Sequence, residues 1–293
     1  MAGPKIFLDY DQAALDAAYD QLAYAPNRDQ VLARYAAASE AMRARLGEPQ
    51  RLAYGPSEVE RLDFYSARTA RAPIEIFLHG GAWRRGRARD YGFPAEMFNA
   101  HGLHYAALDF VAVEAAPDGL RTMADQVRRA IAWLHAHAAE FGGDPDRLYL
   151  TGHSSGAHLA AVLLTTDWTT QHGLPRDLVK GGLCVSGMYD LLPVSLSARS
   201  RYVPFDDRVI ESLSPRRHVS RLAAALVVAH GSLETPEFQR QAQDFAAAVA
   251  GAGKPVESLR LEGYNHFEML ETYGSPDGVL GRAALARAHA QAP

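Results

Sequence analysis

The sequence predicts an α/β fold, with a mostly parallel central sheet and helices on both faces. Three observations point to it. Short apolar runs of β-type residues alternate with helix-forming stretches along most of the 293 residues, the pattern of successive strand–helix units. One such run, 148–153, leads into Gly152-His153-Ser154-Ser155-Gly156 and then a strong helix former (AHLAAVLLT). Another, 74–78 (IEIFL), leads into His79-Gly80-Gly81-Ala82-Trp83.

The elements follow in order. Residues 9–46 are Ala-rich and read as helix, broken at Pro26-Asn27, because alanine loses no side-chain entropy in a helix while proline lacks the donor. This segment is expected either to fold over the rim of a site or to pack on the sheet. Residues 59–66 alternate as a half-buried strand. Strands are then expected at 74–79, 104–110, 148–153, 182–186, 225–230 and 256–261, and helices at 120–140, 157–166, 236–250 and 279–290. The stretch FGGDPD at 141–146 reads as a turn. Residues 189–219 interrupt the alternation with Pro193, Pro204 and Pro215. No repeat or low-complexity segment occurs, and residues 1–293 are expected to form one domain.

Composition narrows the function classes. A hydrophobic content of 48% can fill a large core. The net charge of −4 with no basic block argues against nucleic acid. The single cysteine, Cys184, excludes an internal disulfide and fits a reducing cytoplasm. The N-terminus lacks the pattern of a signal peptide, and no apolar run reaches a membrane span. No Cys/His spacing fits zinc, and no cofactor motif is present. Nothing in the sequence excludes a homodimer.

The chemistry resides in the two glycine motifs. G-x-S-x-G after a strand and before a helix is a nucleophile elbow, so Ser154 is expected to be a nucleophile. The turn is so tight that side chains at Gly152 and Gly156 would collide. Acyl transfer places negative charge on a carbonyl oxygen, which preorganised N–H groups must meet. Gly81 and Ala82 after the strand at 74–78, and Ser155 after the nucleophile, are the expected oxyanion donors.

A serine needs a base, and the base an orienting acid; with this elbow the order along the chain is serine, acid, histidine. His266, in a loop after the last strand (GYNHF), is the expected base. The other histidines read as helix-surface (His135, His137), local elbow packing (His153, His158), surface or loop (His101, His104, His172, His218, His289), or a satisfied buried polar group (His230). Glu234, just past strand 225–230, is the expected acid. Its rivals are Glu237, in a first helical turn where an acid suits the helix dipole, and Asp190.

HGGAW, GHSSGAHLA (152–160) and GYNHFEML (263–270), with TPEFQRQAQDF (235–245), together resemble the kynurenine formamidase-like branch of the α/β-hydrolase superfamily, which neighbours the hormone-sensitive-lipase-like esterases. The resemblance runs from about Val59 onward. It implies an α/β-hydrolase fold and a cofactor-independent serine hydrolase of small ester or amide bonds, arylformamidase or short-acyl carboxylesterase. It also implies that 189–219 forms a lid, with Tyr202 and Phe205 as pocket walls beside Trp83. The chain departs from the branch at Ala82, where members often carry tyrosine, and at DFVAVEAAPDGL (109–120) in place of a DYRLAP-like run. The competing expectation is a hydrolase fold reused for ligand binding without catalysis.

Overall fold

A computed structural model describes residues 3–290. Its centre is one eight-stranded sheet: β1 (Gln50–Ala53), β2 (Arg61–Tyr65), β3 (Ala72–Leu78), β4 (His104–Leu108), β5 (Gly143–His153), β6 (Val179–Val185), β7 (Ala225–Gly231) and β8 (Val256–Leu261). The spatial order is β1-β2-β4-β3-β5-β6-β7-β8. β1 and β2 pair antiparallel, as do β2 and β4; all later pairs are parallel. In the middle of the sheet β3 and β4 are buried along their whole length, as strands covered on both faces must be.

The helices are α1 (Gln12–Ala18), α2 (Arg28–Leu46), α3 (Ala95–Ala100), α4 (Gly119–His137), α5 (Ser155–Leu164), α6 (Trp168–His172), α7 (Leu191–Ser195), α8 (Asp207–Ser212), α9 (Pro236–Gly251), α10 (Glu268–Glu271) and α11 (Val279–His289). Two apolar clusters separate the layers. One holds the inner faces of α4, α5 and α9; the other those of α2, α3 and α11.

The sequence reading needs four corrections here. β1 was not expected: its burial pattern is nearly all exposed, so it has no apolar signature and exists by pairing with β2. β2 is buried on both faces rather than half-buried. The expected turn at 141–146 continues as strand from Gly143, which pairs with Ala72; only Gly142, in the left-handed region, turns. His104 is buried rather than at the surface, its Nδ1 accepting the Ala67 amide at 2.9 Å.

Residues 9–46 form α1 and α2 with a short connection between them. Leu15, Val31, Tyr35 and Met42 are buried, while the connection between α1 and α2 reaches the ends of the sheet. There the Thr235 hydroxyl donates to the Ala18 carbonyl (2.6 Å) and the Asn265 amide to Asn27 (2.9 Å). The loops after β7 and β8 are thus tied to the N-terminal segment.

Candidate active site

β3 and β5 are neighbours, but the chain leaves β3 towards β4 on one side and β5 towards β6 on the other. A crevice opens where the direction reverses, at the carboxyl ends of the strands. Ser154 ends β5 and the glycine loop ends β3. Ser154 sits at φ 56°, ψ −124°, a strained conformation for a non-glycine residue that costs about 1–2 kcal/mol. Its N–H donates to Val185 O at 2.8 Å, holding the turn. The flanking glycines act as the motif requires. A Cβ on Gly152 would overlap the Gly156 carbonyl, and one on Gly156 would overlap the Leu78 carbonyl oxygen.

The structure brings Ser154, His266 and Glu234 into one buried chain of hydrogen bonds. His266 Nδ1 lies 2.7 Å from Glu234 Oε2 and Nε2 lies 2.9 Å from Ser154 Oγ. A carboxylate only accepts, so Nδ1 carries the proton and Nε2 is the acceptor for the serine hydroxyl. The second oxygen of Glu234 accepts from Ser186 Oγ (2.6 Å) and the Gly231 amide (2.7 Å), and the Gln21 amide donates to Oε2 at 3.3 Å. Burial pushes the Glu234 carboxyl upward, but its electrostatic attraction to the His266 ring and the hydrogen bonds from His266, Ser186 and the Gly231 amide outweigh it, so its pKa lies below the ordinary value.

The rival acids are elsewhere. Glu237 is fully buried against Arg240 (2.7 and 2.8 Å) and the Tyr19 hydroxyl (3.1 Å). Asp190 caps α7, accepting the Leu192 amide at 3.1 Å. Neither touches His266.

The loop after β3 runs through positive φ at Gly81 (118°), Ala82 (55°) and Trp83 (62°). It is pinned on both sides: the Trp83 amide donates to Ser155 Oγ at 3.1 Å, and the Trp83 carbonyl accepts the Val113 amide at 2.8 Å. Among the described residues the Gly81 and Ala82 amides have no partner, and Ser155 opens α5, whose first amides find none within the helix. Gly80 leaves room for the nucleophile: a Cβ there would stand 3.0 Å from the Ser154 Cβ.

These groups line a cleft of about 810 Å³, walled by residues of the N-terminal segment, the glycine loop and the insertion after β6. Tyr202 is on that wall, with Arg84 stacked 4.5 Å from its ring centre and its hydroxyl accepting from Arg199 at 2.9 Å. Trp83 and Phe205, expected as pocket walls, are not. Trp83 turns into the core, 1% exposed, with its indole N–H on His158 Nδ1 (3.2 Å) and Phe205 edge-on at 6.5 Å. The positive φ at Trp83 and the hydrogen bond to His158 aim the ring away from the cleft.

Residues that sequence reasoning missed act around His266. His153 does not bond locally: its Nε2–H donates to the His266 carbonyl at 2.7 Å, and the rings lie 4.8 Å apart. Burial, and then the neighbouring His266 ring, beside which a second positive charge is disfavoured, push the His153 pKa down to about 3, so it stays neutral. Phe238 and Phe267 stand edge-on to the His266 ring, each at 4.9 Å. Ser186, at φ 55°, is a second strained serine, one strand over from the elbow. Its strain and its hydrogen bond to Glu234 show its role in the structure, and no sequence motif marks it. His230, expected to be satisfied, is buried with no partner on either ring nitrogen. Among the described residues no group of three His, Cys, Asp or Glu side chains converges as a metal site requires, and no helix is long and apolar enough to cross a membrane.

A family model described as BD-FAE matches residues 62–178. Kynurenine formamidase of Danio rerio is 32% identical over 240 residues, 79% of this chain and 79% of the relative. That of Salmo salar is 33% identical over 227 residues, 74% of each chain. Esterase LipC of Mycobacterium tuberculosis is 30% identical over 250 residues, 76% of this chain and 60% of its own. Among solved structures, esterase LipW from Mycobacterium marinum superposes with TM-score 0.71 at 18% identity, covering 93% of this chain and 90% of its own. EstE1, a carboxylesterase cloned from a metagenomic library, gives 0.68 at 20% identity over 91% and 95%. At such identities these two show a shared fold.

Proposed function

The chain belongs to the α/β-hydrolase superfamily, among the kynurenine formamidases and esterases, and we propose that Ser154, His266 and Glu234 are the catalytic triad with which it cleaves small ester or amide bonds. The chain is an enzyme, a hydrolase like these relatives. The observation that carries the triad is the unbroken relay from Glu234 through His266 to Ser154, at 2.7 and 2.9 Å.

His266 Nε2 takes the Ser154 proton as Oγ attacks the carbonyl carbon, and Glu234 stabilises the resulting imidazolium. The amides of Gly81, Ala82 and Ser155 receive the negative oxygen; each such donor is worth about 10²–10³ in turnover. His266 then passes the proton to the leaving alcohol or amine, and the acyl group remains on Ser154. Water, deprotonated by His266 in turn, releases the acid. His153, kept neutral beside His266, adds no competing charge, and its hydrogen bond fixes the backbone that carries the base.

Substrates in this reading are short-acyl esters and N-formyl or N-acyl arylamines. Residues 189–219 act as a lid, supported by the contribution of Ser197, Arg199 and Tyr202 to the cleft wall. The buried free thiol of Cys184 supports a reducing compartment such as the cytoplasm.

A fluorophosphonate label tests the assignment. It is expected on the peptide bearing Ser154, and Ser154→Ala is expected to abolish it and lower turnover by about 10⁴-fold or more while the fold is kept. Labelling retained at Ser155 or another serine refutes the nucleophile.

A further inference from the structure

The cleft wall carries one side-chain-anchored guanidinium that has no carboxylate within ion-pair distance among the described residues. Of the arginines lining the cleft, Arg28 pairs with Asp29 (2.7 Å), Arg84 with Glu114 (2.7 Å), Arg87 with Asp90 (3.1 Å) and Arg201 with Asp16 (3.6 Å). Arg199 has no carboxylate within ion-pair distance among the described residues, and its partners are neutral. Nη1 donates to the Tyr202 hydroxyl and Nη2 to the Tyr19 carbonyl, both at 2.9 Å. Its Nε is buried with no partner. The guanidinium also lies 5.9 Å from the centre of the Trp83 ring. Arg85 also lacks a carboxylate, but it is exposed and no side-chain contact orients it.

This is a held fork, not a loose surface arginine. One anchor, Tyr19, comes from the N-terminal segment, and the other, Tyr202, stands three residues along the same insertion. A guanidinium offers five N–H donors in a rigid plane and cannot lose its charge; two donors are used here. Nearby carboxylates are committed elsewhere: Asp16 accepts the Ala198 amide (2.6 Å) and Asp20 the Leu22 amide (3.0 Å). A half-buried cation with neutral partners is incomplete, and a carboxylate entering the cleft supplies the missing charge with charge-assisted hydrogen bonds.

We propose that Arg199 selects substrates bearing a carboxylate, so that the preferred esters or amides are monoanions. This rests on the hydrolase reading above, and deepens it by naming the charge class of the substrate.

Two matched pairs test it. One is 4-acetoxybenzoate against its methyl ester, with the charge on the leaving group. The other is 4-nitrophenyl hydrogen glutarate against 4-nitrophenyl valerate, with the charge on the acyl group. In the wild type, kcat/KM is expected to favour the anion in at least one pair, less so in high salt. In Arg199→Gln that preference is expected to fall about tenfold or more, chiefly through KM, and Arg199→Lys to keep part of it. On the wild type alone, benzoate is expected to protect Ser154 from fluorophosphonate better than benzamide does. Absence of any wild-type preference, or equal protection by the two additives, overturns the proposal. So does a ratio unchanged in Arg199→Gln while both substrates slow together, which would make Arg199 a strut between Tyr19 and Tyr202. A protein that neither labels nor hydrolyses any of the four esters would refute the hydrolase reading itself. Normal labelling without preference refutes only the role of Arg199.

Discussion

The Ser186 hydroxyl donates a 2.6 Å hydrogen bond to Oε1 of Glu234, the carboxylate whose other oxygen holds His266. Ser186 ends β6 as Ser154 ends β5, both at positive φ. The two residues form adjacent strained turns, one presenting the Ser154 hydroxyl and the other steadying the Glu234 carboxylate. With His266 and the Gly231 amide, Ser186 offsets the burial that pushes the Glu234 carboxyl upward.

Ser186→Ala is therefore expected to lower kcat about tenfold, the loss of one charge-assisted donor. Without that donor the carboxylate is more basic and binds the imidazolium more strongly. The acid limb of the kcat/KM profile should then move to higher pH; this apparent pKa belongs to the His266–Glu234 pair. A slower variant with an unmoved limb would show that Ser186 only packs.

Glu234→Gln is expected to cost about 10⁴-fold in kcat, since the amide can no longer fix the His266 tautomer. Glu237→Gln should leave the chemistry intact and cost stability instead. Its carboxylate is buried against Arg240 and Tyr19, so the loss should be about 1–3 kcal/mol, more than a helix-dipole effect alone. Turnover and urea midpoints for both variants decide the matter. An inactive Glu237→Gln of normal stability would reassign the acid.

Stability should fall on acidification through His158. Its Nδ1 accepts the Trp83 indole N–H, its Nε2–H donates to Leu213 O (2.8 Å), and burial pushes its pKa down to about 4. The unfolded chain has an ordinary histidine pKa of about 6.5. Between those values the unfolded state binds the extra proton, so stability is full above about pH 6.5 and declines towards pH 4, by at most about 1.4 kcal/mol per pH unit for this histidine. His153, held at about 3, adds in the same direction. Unfolding midpoints measured between pH 7 and 4 should show a slope one proton shallower in His158→Gln. An unchanged slope would refute the linkage.

The acyl side should be permissive. Ala82 is small, half-buried and on the cleft wall, where a larger side chain would narrow the oxyanion side. Acetyl and butyryl aryl esters are expected to be turned over at least as efficiently as a formyl arylamide. One methylene is worth about 1–3 kcal/mol of discrimination, so a formyl-to-decanoyl series should show a broad maximum. A sharp optimum at formyl, with acetyl lower by more than one methylene can supply, would mark a dedicated formamidase.

The elements that carry chemistry were readable because their signals are local. The G-x-S-x-G turn needs glycine at two fixed positions, and the Cβ overlaps at Gly152 and Gly156 are the reason. The parallel strands announce themselves by buried apolar runs. β1 does not, since it is mostly exposed and held by its ladder to β2 and by the ion pairs of Arg51 with Asp63 and Asp109. Trp83 could not be placed from sequence either: its direction depends on the backbone φ of its loop and on His158, 75 residues away.

The sequence by itself determined the sheet's strand–helix alternation, the nucleophile turn, the glycine loop and the order serine, acid, histidine, because each is written in neighbouring residues. The tertiary structure alone decided which carboxylate meets His266 and which groups steady it. Glu234 and Glu237 are three residues apart and alike in chemistry. One ends a strand turn facing His266; the other begins a helix facing Tyr19 and Arg240. Ser186, Gln21 and Arg199 reach the cleft region from separate parts of the chain, and His153, although next to Ser154, bonds to the carbonyl of His266. Their roles arise from side chains converging across the ends of the sheet, a relation that no local pattern encodes.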